Sequence, residues 1–326
     1  MGDHAGPGPR AGGAAVVIEG LRRSYGRVTA VEDFSLSVAA GELFALVGPD
    51  GAGKTTIIRV LCGILSPDAG TVSVFGHDLR REPGWIKSNV GYFSQRFTLY
   101  GDLTVDENIE FFARIHGVAS FRERRERLLA FTRLEPFRRR LAERLSGGMK
   151  QKLALACTLI HSPRLVLLDE PTTGVDPVSR REFWLILSDL LGQGITILMS
   201  TPYLDEAERA TRVGLVHEGR LLAVDTPSAI RGAVAGGVLE VVTPDTRRAA
   251  ALLRARGLDV QLFGDRLNVI TADARGGEAS IRSTLASAGI AVTLLRAIPS
   301  SLENAFISLV RGTAPAPGDS PEEARR

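Results

Sequence analysis

The chain has 326 residues, 44% hydrophobic and 24% charged, a length and composition that suit one large domain plus a small one with a sizeable core. Lys and Arg (40) barely outnumber Asp and Glu (37), giving a net charge of +3, and so small and scattered an excess argues against a nucleic-acid partner. Two cysteines (Cys62, Cys157) make no disulfide framework, five dispersed histidines lack metal-ligand spacing, and no apolar run approaches the roughly 18 residues of a membrane span.

Residues 1–14 are rich in Gly, Pro and Ala, with no apolar stretch of signal-peptide type, and read as a disordered leader on a cytoplasmic protein. Ala15 to Glu19 has strand character and is followed by Leu21 to Gly26. Within that segment Tyr25 fits two roles equally, a ring stacked on a purine or one packed at a rim. Val31 to Val38 alternates apolar and polar, the pattern of a half-buried strand. The apolar run Leu43 to Val47 then enters Gly48, Pro49, Asp50, Gly51, Ala52, Gly53, Lys54, Thr55 and Thr56, and a helical pattern runs from Ile57 to Leu65.

That stretch matches G-x-x-x-x-G-K-[ST] in the strand–loop–helix setting that a phosphate-binding loop requires. The glycines let backbone N–H groups turn inward around phosphate oxygens, and the helix N-terminus adds a favourable dipole. Lys54 is placed for the β- and γ-phosphates and the Thr55 hydroxyl for Mg²⁺.

Further along, Thr71 to Phe75 and Val90 to Gln95 read as short strands. Gln95 suits either a place near the γ-phosphate, its carbonyl oxygen on Mg²⁺ or on a water, or a plain strand-end surface position. Thr104 with Glu107 three residues on forms a capping-box pattern, opening amphipathic helices that extend to about Ala142. The Arg-rich stretches Arg122 to Arg127 and Arg138 to Arg140 read as solvated helix faces in this block, with a nucleic-acid or anionic-lipid patch as the alternative. Leu145-Ser146-Gly147-Gly148-Met-Lys-Gln151 precedes another helix and makes a second anion-binding helix start, with Ser146 as its N-cap. In Arg164-Leu-Val-Leu-Leu-Asp169-Glu170-Pro-Thr-Thr-Gly174-Val-Asp176 a buried parallel strand delivers two carboxylates at its C-terminal end, where open α/β sheets bind ligands. Asp169 suits Mg²⁺, and Glu170 suits proton acceptance from an attacking water.

With these stretches in place, the chain resembles the ATPase subunits of ABC transporters over roughly residues 15 to 230. The resemblance rests on Gly48 to Thr56 as Walker A, Gln95 as the Q-loop, Leu145 to Gln151 as the signature, Leu165 to Glu170 as Walker B and Gly174 to Asp176 as the D-loop. It implies an α/β P-loop cassette over residues 15–232 with a helical subdomain inserted at about 96–150. It also implies ATP and Mg²⁺ as ligands, with Lys54, Gln95 and Glu170 in catalysis and Thr55, Gln95 and Asp169 at the metal. Tyr25 becomes the adenine-stacking ring. Two subunits, identical or different, would close head to tail so that Ser146, Gly147, Gly148 and Asp176 of one meet the P-loop nucleotide of the other. Separate membrane permease subunits would carry the pore, leaving this chain peripheral on the cytoplasmic face of the cell membrane. The transported substrate is not readable from such a chain.

One position departs from the family pattern. Where the family places a histidine after the strand Ile195 to Ser200, this chain has Pro202, which offers no side-chain donor and no backbone N–H. The retained acids, Lys54 and Gln95 favour hydrolysis; the alternative is a weakly hydrolysing regulatory subunit, and a soluble non-transport ATPase is a further one. Residues 236–311 follow a β-α-β-β-α-β order, with strands at 238–242, 260–263, 267–270 and 291–295 and helices at 246–255 and 278–288, then a last helix from Ser301 to Val310. That order describes a small α+β ferredoxin-like module. Its ending resembles the C-terminal extension of type-2 exporter ATPases, and residues 312–326 read as a disordered tail.

Overall fold

The structure is a computed structural model, which describes residues 13–95, 99–233, 237–271 and 274–313. Most of the expected leader and tail lie outside these residues, although Ala14 already belongs to the first strand and the last helix runs on to Thr313. Two compact units divide at Leu221/Leu222. The division expected at 232–236 falls largely on residues 234–236, which are outside the described set.

In the first unit, β1 (Ala14–Tyr25) pairs antiparallel with β2 (Val28–Ala39), so the Leu21 to Tyr25 segment continues the strand expected only to Glu19. With β4 (Ala69–Val74) and β5 (His77–Asp78) they form an antiparallel sheet in the order β2-β1-β4-β5. The second sheet holds the site. β3 (Leu43–Val47), β7 (Leu165–Asp169) and β8 (Thr196–Thr201) are buried at every residue, the composition of parallel strands covered on both faces. Together with β6 (Val90–Phe93), β9 (Arg212–His217) and β10 (Arg220–Asp225) they run in the order β10-β9-β3-β8-β7-β6. β8 therefore lies between the P-loop strand and the acidic strand, with Ser200 level with Asp169 and Thr201 level with Val47.

Helix α1 (Lys54–Leu61) starts three residues before the apolar pattern suggested and ends at the Cys62 cap, short of Leu65. Beyond α2 (Pro83–Asn89), the helical block comprises α3 (Val105–Ile115), α4 (Phe121–Thr132) and α5 (Gly147–Leu159). It packs around Val105, Ile109, Leu129, Leu153 and Cys157. Regular helix stops at Thr132, and only short turns at Glu135–Phe137 and Ala142–Arg144 continue towards Ala142. The Thr104 capping box forms as its spacing requires: Thr104 Oγ1 accepts from the Glu107 N–H at 3.2 Å and Glu107 Oε2 accepts from the Thr104 N–H at 2.8 Å. After β7 come α6 (Pro177–Gly192) and the one-turn α7 (Leu204–Ala207). Both cysteines are buried free thiols.

The second unit contains α8 (Pro227–Gly232), β11 (Gly237–Val242), α9 (Thr246–Ala255), β12 (Asp259–Phe263), β13 (Arg266–Thr271), α10 (Ala274–Ser287), β14 (Leu294–Ile298) and α11 (Leu302–Thr313). Its antiparallel sheet runs β12-β13-β11-β14, the split β-α-β arrangement, over a core that includes Leu239, Val241, Leu253, Val260, Val269 and Leu285. The last strand sits three residues later than the expected 291–295. Thr293 donates to the Val242 carbonyl at 2.8 Å and the ladder opens with Val242 opposite Leu294, so Ala291 and Val292 stay outside it. Among the described residues no helix is long and apolar enough to cross a membrane.

Candidate functional site

The loop after β3 turns into α1 at Gly53, whose φ of 98° and a phantom Cβ only 2.4 Å from the Ala30 carbonyl oxygen leave room for no side chain. No acidic residue occupies the first turn of α1, so its N–H groups and the positive end of its dipole are left for an external anion. Lys54 is 3% exposed, and its ammonium donates to the carbonyls of Gly48 (2.7 Å) and Pro49 (2.9 Å) and lies 3.9 Å from Glu170 Oε1. Burial pushes its pKa below the ordinary lysine value, while the carboxylates of Glu170, Asp50 and Asp169 push it back up. The cation is thus stretched over carbonyl acceptors that a phosphate would outcompete.

The two adjacent acids have different settings. Asp169 is fully buried; its Oδ1 accepts from the hydroxyls of Thr55 (2.9 Å) and Ser200 (2.7 Å), and its Oδ2 is buried without a partner. Glu170 takes a left-handed backbone (φ 49°), its N–H donating to both the carbonyl and the hydroxyl of Ser200 at 3.1 Å. Its Oε2 accepts from Gln95 Nε2 at 2.9 Å and from the Thr173 hydroxyl at 3.3 Å. Asp50 to Thr56, Gln95, Glu170 and Ala30 line one cavity of about 390 Å³. Ser200, which sequence reasoning passed over, orients both acids. Its only local mark is its place near the end of a wholly buried strand, two residues before Pro202.

Other expected residues stand outside that lining. Tyr25 is 44% exposed, its hydroxyl 3.5 Å from Thr56 Oγ1 and its ring under the Arg23 guanidinium, 5.4 Å from the centroid. Ser146 caps α5 by accepting from the Met149 N–H at 3.3 Å. Gly147 starts that helix, and Gly148 is where α5 meets α6: a Cβ there would lie 2.1 Å from Ser179 Oγ. Asp176 caps α6, accepting from the Val178 and Ser179 N–H groups at 3.0 Å each, which holds its carboxyl below the usual aspartate range. Within one copy, then, Ser146 to Gly148 and Asp176 do not line the P-loop cavity.

Pro202 does not line it either. The turn after β8 is instead fixed from below by Glu206, 1% exposed, whose carboxylate accepts from the hydroxyls of Thr172 and Thr201 (the latter at 2.8 Å) and lies 3.7 Å from Arg180 Nε. Thr201 Oγ1 in turn accepts from the Tyr203 N–H at 3.0 Å. The segment is held without any donor at position 202.

A family model described as ABC transporter matches residues 31–173. The chain is 45% identical over 246 residues to the multidrug ABC transporter ATP-binding protein YbhF of Escherichia coli (strain K12), a match covering 74% of this chain but only 43% of that protein's length. It is 35% identical over 301 residues to the daunorubicin resistance ATP-binding protein DrrA3 of Streptomyces coeruleorubidus, covering 90% of this chain and 95% of the relative. Among solved structures, the dimeric post-hydrolysis state of the ATP-binding cassette MJ0796 bound to ADP and Pi superposes with a TM-score of 0.59 at 26% identity, over 65% of this chain and 98% of that one.

Proposed function

This chain belongs to the ABC transporter family, and from that premise we propose that it binds and hydrolyses ATP to power an exporter whose membrane-spanning subunits are other chains. The observation that carries the reading is the gathering of Lys54, Thr55, Gln95 and Glu170 on one cavity, with Asp169 buried beneath. Lys54 would give up its carbonyl partners for the β- and γ-phosphates, with the α1 N–H groups taking further oxygens. Glu170, aimed by Gln95 and by Ser200, accepts the proton of the attacking water. Tyr25, exposed beside Thr56, offers its ring to adenine.

The donors fit Mg²⁺: the Thr55 hydroxyl, the unpartnered Asp169 Oδ2 and the Gln95 carbonyl oxygen form a sparse oxygen set that leaves the remaining positions to phosphate and water. Bound there, the ion would neutralise charge on the phosphates. We assign Ser146, Gly147, Gly148 and Asp176 to the partner nucleotide in a head-to-tail dimer, and peripheral attachment to the membrane through permease subunits. YbhF is named for multidrug transport and DrrA3 for daunorubicin resistance, and on that support export is the direction we assign here.

The test is Mg²⁺-dependent ATP turnover by the purified chain beside Glu170→Gln. Removing the general base should lower turnover by about 10²- to 10⁴-fold while ATP still binds. Equal turnover in the two proteins would remove Glu170 from its assigned role.

A further inference from the structure

We propose that a cavity at the end of the six-stranded sheet opposite the P-loop binds an amphipathic anion, a single carboxylate- or phosphate-type head on an apolar body. Ala40, Arg164 and Ile195 line it just before β3, β7 and β8 begin, so it opens at the N-terminal edge of the parallel strands. Its volume of about 550 Å³ is that of a small-molecule pocket. Phe75, Leu128, Phe131, Leu159 and Leu190 supply apolar walls.

The polar part of the lining is one-signed. Arg124 and Arg127 of α4 and Arg164 before β7 face the cavity, and no Asp or Glu is among its lining residues. Acids and bases are nearly balanced over the whole chain, 37 against 40, so this imbalance is local. Among the described residues neither Arg124 nor Arg164 has a carboxylate within ion-pair distance, and Arg127 meets only Glu123, at 3.3 Å and with both side chains more than 70% exposed. An ion pair so exposed neutralises little.

Two of the guanidinium groups are already oriented. Arg124 Nη1 donates to the Ile160 carbonyl at 2.6 Å, leaving its other N–H groups free of a carboxylate. The Arg164 guanidinium lies over the Phe75 ring, its central carbon 4.0 Å from the centroid and 5.9 Å from that of Trp85. Stacked planar guanidinium groups present a fork that matches carboxylate and phosphate oxygens, and the stacking reduces the rotamer freedom lost on binding. Cationic heads around an apolar hollow therefore select for an anion with a hydrocarbon or ring body. This reading does not rest on ATP hydrolysis, because the site lies across the sheet from the nucleotide cavity.

The test is calorimetric titration of the full chain with octanoate, octyl phosphate and 1-octanol. Both anions should bind saturably at one site per chain, with octanol at least about tenfold weaker, the size of one charge-assisted hydrogen bond. Arg124→Gln and Arg164→Gln should each weaken the anions by about tenfold and leave octanol and ATP binding unchanged. Phe131→Ala should weaken all three ligands. Arg164→Gln guards against a shift of α4 in Arg124→Gln, and retained ATP binding reports the fold. Sedimentation with phosphatidylglycerol but not phosphatidylcholine vesicles, lost in the double variant, would make a lipid headgroup the source. Octanoate binding without vesicle binding would make it a free acid. No saturable anion binding, anion binding or vesicle binding that survives the double variant, or octanol binding as tightly as octanoate would overturn the proposal.

Discussion

Pro202 tests whether a histidine donor at that position is needed at all. Its neighbour Thr201 donates to Glu206, a carboxylate also held by Thr172 and Arg180, and accepts from the Tyr203 N–H. Glu170 is aimed independently, by Gln95 and by the Ser200 carbonyl and hydroxyl. Pro202→His should therefore change turnover by no more than about threefold, under roughly 1 kcal/mol of barrier. A rescue of tenfold or more would mark the present site as damped. His161 offers a second residue-scale prediction. Burial, with help from stacked His116 and from Arg124, holds its pKa at about 4, against the bond its Nε2 makes to the Val90 carbonyl at 3.3 Å. Nδ1 is buried without a partner, so a second ring proton would have no acceptor. Between about pH 6.5 and 4 the unfolded chain carries a proton here that the folded chain does not, and stability falls as pH falls through that window. After allowance for screening at a partly exposed ring, the loss is roughly 1–2 kcal/mol. His161→Phe should flatten that part of the stability–pH curve, measured by urea unfolding; an unchanged slope would remove the residue from the account.

Gly148 is where two elements touch. A Cβ there would stand 2.4 Å from Ser179 Cβ as well as against its hydroxyl, so α5 and α6 approach as closely as they do only because both positions are small. Gly148→Ala should destabilise the first unit by about 1–3 kcal/mol through overpacking, and Ser179→Gly in the same chain should recover most of it. Additive losses in thermal unfolding would mean that the contact is not the cause. This scale also separates what was legible in the amino acids from what was not. β3 and β7 could be read because short apolar runs bounded by turn residues leave one choice, and the capping box at Thr104 because its spacing is itself the mechanism. α6 was legible too, with Phe183, Ile186, Leu187 and Leu190 at helical spacing, although its existence was not drawn from the chain. α2 was not, being seven residues long with Ile86 its one buried side chain. Ser200 could not be assigned from its own neighbourhood. Its role depends on β8 lying between β3 and β7, a fact of strand order that no local pattern carries.

At the scale of the molecule, the site in a single copy is half a site by this reading. The P-loop cavity gathers Lys54, Gln95 and Glu170, while the Ser146 helix end and the Asp176 cap lie outside its lining, occupied by their own helices. A two-fold, head-to-tail pairing would bring the missing half from a second copy, and such an arrangement can be tested by complementation. Lys54→Ala should abolish ATP binding, whereas Ser146→Arg should leave ATP binding intact and abolish turnover and ATP-driven dimerisation, followed by light scattering. In a mixed pair, one site joins both lesions and the other joins an intact P-loop to an intact Ser146 end. An equal mixture of the two dead proteins should then recover turnover towards about half of wild type, since neither variant forms an ATP-driven dimer with itself and each mixed pair holds one working site of two. If every chain completes its own site, the mixture stays inactive, and turnover by Ser146→Arg alone would remove Ser146 from its assigned role. Recovery requires that residues from two chains act on one nucleotide, which neither variant could achieve by itself.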